Sequence, residues 1–151
     1  MNLSSPHFSN SELKCHGLTC SLVSHGTPCN LNEVQQILLD ALEQFRLTSG
    51  SKSVIIDDAY RCPRHNTEVG GVLDSEHVRG IAADIRIEGL SGAELAVIGM
   101  ECPLITAIGR DDYRNYIHID TRIMARGHAL WCYSETGGWI AYYPPKLAQI
   151  T

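Results

Sequence analysis

Two histidines and an aspartate carry the chemistry most readily read from this chain. Asp84 closes the run Ser75-Glu76-His77-Val78-Arg79-Gly80-Ile81-Ala82-Ala83-Asp84, and His118 sits inside Tyr116-Ile117-His118-Ile119-Asp120. Two imidazoles and one carboxylate form a donor set that suits Zn²⁺ and leaves a fourth position open, as catalysis requires and scaffolding does not. Between Ile81 and Ile87 the odd positions are apolar, so strand alternation turns Asp84 away from the core. The same alternation puts Tyr116, His118 and Asp120 on one face and Ile117 and Ile119 on the other. If the two strands pair, Asp84 and His118 can be cross-strand neighbours with Cβ atoms about 5 Å apart. His77 lies in a polar stretch bounded by Gly70-Gly71 and Gly80, where a loop can fold back over the strand end. The alternative is a surface histidine, a strand carboxylate and a buried histidine with nothing in common.

The elements that must position these residues follow from periodicity. Val34, Ile37, Leu38, Ala41, Leu42 and Phe45 recur at helical spacing between Asn32 and Leu47, with Asn30 or Asn32 as cap and Ser49-Gly50 as stop. Residues 53–57 read as a β-branched strand. Residues 91–100 read as a second helix capped by Ser91. Leu104 to Ile108 reads as a further strand ending at Gly109, and residues 129–144 as an aromatic hairpin around Glu135-Thr136-Gly137-Gly138. That hairpin either lines a groove for a peptide or glycan or covers the core. Helices packed on a small antiparallel sheet, with the metal site on the sheet face, give an α+β fold. At 151 residues the chain can bury about 70% of its unfolded surface, enough for a single domain spanning 1–151.

Residues 1–30 read as irregular, with Cys15, His16, Cys20, His25 and Cys29 crowded together. Their spacing fits no common Cys-x-x-Cys pattern, so thiols or a disulfide are preferred there to a structural zinc knot. Cys62, Cys102 and Cys132 are isolated and read as small buried hydrophobes. Arg61 beside Cys62 keeps a Cys62-centred thiol hydrolase among the alternatives.

A net charge of −5, from 17 acidic and 12 basic residues, excludes the concentrated basic footprint of a nucleic-acid binder. Arg61, Arg64, Arg79 and Arg86 cluster around the proposed ligands, where guanidinium groups match carboxylates bidentately. No run of about 18 apolar residues is present, and no basic-apolar leader is read at Met1-Asn2-Leu3-Ser4-Ser5. The expectation is a chain made in the cytoplasm that spans no membrane.

From Tyr60 to Asp84 the pattern Tyr-Arg-Cys-Pro-Arg-His-Asn, then Val-Gly-Gly, then Ser-x-His-x-x-Gly-x-Ala-x-Asp resembles the zinc D-alanyl-D-alanine carboxypeptidase and murein endopeptidase family. The metal fold of that family is shared by the hedgehog signalling domain. His118-Ile119-Asp120 resembles the closing ligand strand of one branch, and Phe8-Ser9-Asn10-Ser11-Glu12-Leu13-Lys14-Cys15 resembles that branch's opening, so the similarity covers residues 8 to 122. It implies one catalytic Zn²⁺ on His77, Asp84 and His118, and a peptide of bacterial peptidoglycan as substrate, cut by an endopeptidase or carboxypeptidase. It implies that Arg61 holds the substrate or its tetrahedral intermediate and that Ser75 and Asn66 support the site, while the arginine cluster makes Arg64 a substrate-binding candidate. Acting on the wall would require release or export, the route of phage-type lytic peptidases. Many relatives carry an acid three residues before the last histidine, where this chain has Asn115, so the general base must come from elsewhere. Asp120 ranks first, either as base or as a partner behind the metal, then Asp112, which matches an acid near the hedgehog-type site, then Asp111. A hedgehog-like binding module that keeps the metal without cleaving peptides is the alternative from another class.

Overall fold

The computed structural model describes residues 3–18, 28–125 and 127–141. Its longest helix, α2 (Gln36–Thr48), buries Leu38, Leu39, Ala41, Leu42 and Phe45 along one stripe. Each such side chain removed from water contributes roughly 1.5–3 kcal/mol. The helix starts later than the sequence pattern implies, with Gln35 and not Asn30 or Asn32 at its cap. Asn32 is otherwise engaged: its amide donates to Leu3 O and Asn10 Oδ1, and its Oδ1 accepts from Val34 N at 3.1 Å. It thereby ties the chain before α2 to a one-turn helix, α1 (Asn10–Leu13), inside the stretch expected to be irregular. Ile37, expected on the core face, is 38% exposed because it falls beside the buried stripe.

The strands are β1 (Ile55–Asp58), β2 (Ala82–Arg86), β3 (Ala107–Asp111), β4 (Tyr116–Asp120), β5 (Ala129–Tyr133) and β6 (Trp139–Ala141). They form one sheet in the order β1-β2-β4-β3-β5-β6, antiparallel except for the β3–β5 pair. Between β1 and β2 lies a short helix, α3 (Pro63–Glu68), with Cys62 as its cap and proline at its first position. Helix α4 (Gly92–Met100) opens with a capping box: Ser91 Oγ accepts from Glu94 N, and the Glu94 carboxylate accepts from Ser91 N.

The two faces of the sheet divide the labour. Ala83, Ile85, Ile108, Ile117 and Ile119 are fully buried in the core shared with α2 and α4. The opposite face carries Asp84, His118, Asp120 and Trp131, set by the period of two. β3 lies further along the chain than expected. Leu104 and Ile105 belong to the turn after α4, where Leu104 N donates to Gln44 Oε1 and Ile105 N to Cys102 O. Gly109, expected to end the strand, is inside it. The aromatic hairpin is formed by β5 and β6; its expected residues Tyr142 and Tyr143 lie outside the described residues. None of the described helices is long and apolar enough to cross a membrane.

Candidate metal centre

The register of the sheet lays a row of side chains across five strands. Asp58 pairs with Asp84, Asp84 with His118, His118 with Gly109, and Gly109 with Trp131. Asp84 and His118 are thus cross-strand neighbours. His77 reaches them from the loop before β2, which its own backbone organises. Ser75 Oγ accepts from His77 N at 3.2 Å, His77 O accepts from Arg61 N and Gly80 N, and Gly80 O accepts from Gln35 N. Gly80 has φ +73° and lies so close to Glu33 that a Cβ would sit 2.0 Å from its carbonyl oxygen. Only glycine lets the loop bend back at that point.

The three side chains converge on one point. His77 Nε2 is 3.2 Å from His118 Nδ1 and 3.3 Å from Asp84 Oδ1, and His118 Nδ1 is 3.0 Å from that same oxygen. Each histidine is oriented by its other ring nitrogen. His77 Nδ1 lies 2.7 Å from Ala59 O, which can only accept, so Nδ1 carries the hydrogen and Nε2 presents a lone pair. His118 Nε2 lies 2.9 Å from Asp120 Oδ2, which fixes the ring in the same way with its lone pair on Nδ1. Asp120 is itself held by Arg122, whose Nε donates to Oδ1 at 2.8 Å and whose guanidinium NH₂ donates to Oδ2 at 2.6 Å.

Two lone pairs and a carboxylate oxygen facing one another repel unless a proton or a cation lies among them. The electrostatics point the same way. Burial alone would lower His118, yet the Asp120 and Asp84 carboxylates raise it to about 9. Burial would raise Asp84, but the two imidazoles hold it well below the usual carboxylate range. Asp120 is also held low, by Arg122 and His118 against its own burial.

The donors fit zinc in kind and in spacing. Two imidazole nitrogens and one carboxylate oxygen are the set of an open, catalytic zinc site, and bonds of about 2.0–2.1 Å at tetrahedral angles separate donors by roughly 3.3 Å. The Ala59 carbonyl and the Asp120–Arg122 pair are the outer partners that such histidines use for orientation.

The remaining residues singled out from sequence fall in different places. Asp120 is fully buried behind His118, on the far side of the ring from His77 and Asp84. Asp112 pairs with Arg110 and abuts the start of α4, where a Cβ on Gly92 would lie 2.9 Å from its Oδ1. Asp111 accepts from Tyr113 N, Arg114 N and the Arg114 guanidinium, bracing the turn between β3 and β4. In that turn Asn115 adopts φ +53°. Arg61 sits beside the site, its Nε 3.1 Å from Asp58 Oδ2. Arg64 lies along α3 with its Nε 3.6 Å from Glu68. Asn66 is buried and donates to Val72 O at 2.8 Å, which with Ser75 braces the loop that carries His77. Arg79 pairs with Asp74, and Arg86 with Asp57, on the surface. Cys62 is fully buried at the cap of α3, which removes it from contact with a substrate.

Sequence reasoning passed over Asp58, Arg122 and Trp131. Arg122 follows Asp120 by two residues, a same-face spacing that could have flagged it. Asp58 was hidden because the strand was expected to end at Asp57. It is half-buried, and loss of solvent raises its carboxyl, with Asp84 adding to the rise and His77 and Arg61 opposing it. Trp131 was recognised only as part of an aromatic hairpin. Its ring centroid lies 5.4 Å from that of His118, and the Arg122 guanidinium lies 5.6 Å above it. Tyr116 and Tyr133 stack beside it at 6.0 Å, and burial pushes the Tyr133 phenol up to about 12, so it stays a hydrogen-bond donor at neutral pH.

Residues 6–120 match the family model for Peptidase M15. The chain belongs to that family. Peptidase M15 enzymes are zinc-dependent and D-alanyl-D-alanine carboxypeptidase-like, so this M15 chain is a hydrolase of the metallopeptidase class. No curated protein sequence matches it.

The indole of Trp131 occupies space that Gly109 leaves open: a Cβ there would lie 2.3 Å from Nε1. Gly109→Ala should therefore expel the indole from its place against His118. In a Trp139→Phe background, which leaves Trp131 as the only tryptophan, emission should shift to the red. An unchanged spectrum would contradict this packing.

Proposed function

We propose that this M15 metallopeptidase hydrolyses a peptide bond in the stem peptides or cross-links of bacterial peptidoglycan, as an endopeptidase or a carboxypeptidase. The observation that carries the reading is the convergence of His77 Nε2, His118 Nδ1 and Asp84 Oδ1 on one point. These three would hold the zinc ion; when bound, zinc brings the pKa of a water towards 7 and polarises the carbonyl under attack.

The chain's own residues divide the rest of the work. Asp120, with both oxygens engaged by His118 and Arg122, acts as a positioning residue that keeps the His118 lone pair on Nδ1. Arg61, anchored by Asp58, offers a guanidinium to a substrate carboxylate or to the developing oxyanion. Asp58, across the strand pair from Asp84, is the carboxylate we assign to take the proton of the attacking water. Asp112 and Asp111 are committed to Arg110 and Arg114 in the neighbouring turn, and neither is given a catalytic role. Trp131, Tyr116 and Tyr133 wall one side of the site and suit a peptide chain laid along β5. Ser75 and Asn66 act through the loop they brace, and Arg64 would meet substrate only beyond α3. Such a substrate places the chain's work in the wall or periplasm, after release or export from the cytoplasm.

One observation favours a second reading, a binding module that keeps the metal without turnover. Asn115 stands where many members of the family that the sequence resembles carry an acid, and Asp120 is occupied by Arg122.

Purified peptidoglycan incubated with the protein should yield new amino ends, with release abolished by EDTA and restored by zinc. Metal binding with no release under any condition would favour the binding module. Asp58→Asn should lower kcat by about 10²–10⁴-fold while zinc content stays at the parent level. Glu76→Gln should change it little, although Glu76 Oε2 is buried without a hydrogen bond, 3.7 Å from the Arg79 guanidinium. The reverse ranking would move the base to Glu76.

A further inference from the structure

Away from the histidines, the fold gathers three sulfurs from separate parts of the chain. The Sγ atoms of Cys15, Cys29 and Cys62 all lie within 4.8 Å of one another, and all three residues are buried. Cys62, read from sequence as isolated, is brought to the other two by backbone pairing. Cys15 N donates to Leu31 O at 2.7 Å, Cys29 N to Gly17 O at 2.8 Å, and Tyr60 N to Leu13 O at 3.1 Å. None of the three is in a disulfide.

Backbone amides are aimed at the sulfurs. Cys62 N donates to Cys15 Sγ at 3.3 Å, and His65 N donates to Cys62 Sγ at 3.4 Å. Hydrogen bonds to a charged form favour that form, so these donors offset part of the burial that pushes the Cys15 thiol up. Three thiolates this close would repel strongly in a buried site without a cation. Zinc–sulfur bonds of about 2.3 Å at tetrahedral angles place sulfurs roughly 3.8 Å apart, compatible with the observed limit. Soft sulfur donors select zinc over magnesium or calcium.

We propose that Cys15, Cys29 and Cys62 supply three of the ligands of a second zinc ion, which clips the N-terminal segment to the start of α3. Binding exchanges the three thiol protons, released to solvent, for one Zn²⁺. The clip sits one residue beyond Arg61, so it also fixes the exit of β1 on which the candidate active site depends. The proposal does not rest on the peptidase reading, because its ligands and its chemistry are separate.

The test uses the full chain purified under reducing conditions without chelators. The parent should carry two zinc ions per chain, and the His77→Ala/His118→Ala variant one. After exchange of zinc for cobalt, a thiolate-to-cobalt charge-transfer band should appear in the near ultraviolet. Only sulfur ligands give that band, so it should persist in the double histidine variant and disappear in Cys62→Ser, whereas Cys102→Ser and Cys132→Ser should leave it unchanged. Absence of the band from both the parent and the histidine variant would overturn the proposal even if Cys62→Ser failed to fold. A band that survived in folded Cys62→Ser would overturn it equally. Failure of the peptidase reading would instead show as an intact band beside an unchanged zinc content in the histidine variant.

Discussion

The structure turns on a confrontation that calls for a proton or a cation at its centre: two imidazole nitrogens and a carboxylate oxygen held within 3.3 Å of one another. Nothing in the three side chains alone enforces this. It is imposed from behind, by the Ala59 carbonyl on one ring and by Asp120 on the other, with Arg122 holding Asp120 in turn. Removing Arg122 would leave Asp120 buried and charged without its guanidinium partner, a costly arrangement. The orientation of His118 is therefore bound up with an ion pair that never meets the substrate.

The sheet supplies the rigidity that such an arrangement needs. Ile117 and Ile119 flank His118 and point into the core, while Ile85 follows Asp84 and does the same, so each ligand strand is pinned from its other face. α4 rests closely on those strands at Gly99, where a Cβ would lie 3.0 Å from Ile108 Cδ1. Packing of this density leaves little room for the ligands to drift. The His77 loop has no strand partner and is held instead by the Arg61 and Gln35 amides, which donate to its carbonyls, and by Ser75 Oγ, which accepts from His77 N, so it is the part of the site most dependent on loop chemistry.

Much of this was legible in the residues. Alternation alone placed Asp84 and His118 on the polar face, because a period of two admits only two answers for each strand, and the pairing of β2 with β4 made them neighbours. The helix read from spacing over residues 32–47 corresponds to α2, and Ser91 was legible as the cap of α4. Other features depended on contacts between distant segments. Gly109 looked like a strand end because a glycine carries no packing signal of its own; only Trp131, arriving from β5, shows why it lies mid-strand. The parallel pairing of β5 with β3 follows from where the chain crosses after Asp120, which no local pattern encodes. Asp112 and Asp120 looked alike as acids near a histidine, and only the ion pairs with Arg110 and Arg122 distinguish their settings. Cys62 appeared solitary because its companions Cys15 and Cys29 lie far away in sequence.

The most direct measurement is X-ray diffraction from crystals of protein purified without chelators, with data collected on both sides of the zinc absorption edge. An anomalous peak bounded by His77 Nε2, His118 Nδ1 and Asp84 Oδ1 should be present above the edge and lost below it. Well-ordered side chains in the same positions with no such peak, even after soaking in zinc, would contradict zinc binding by these residues.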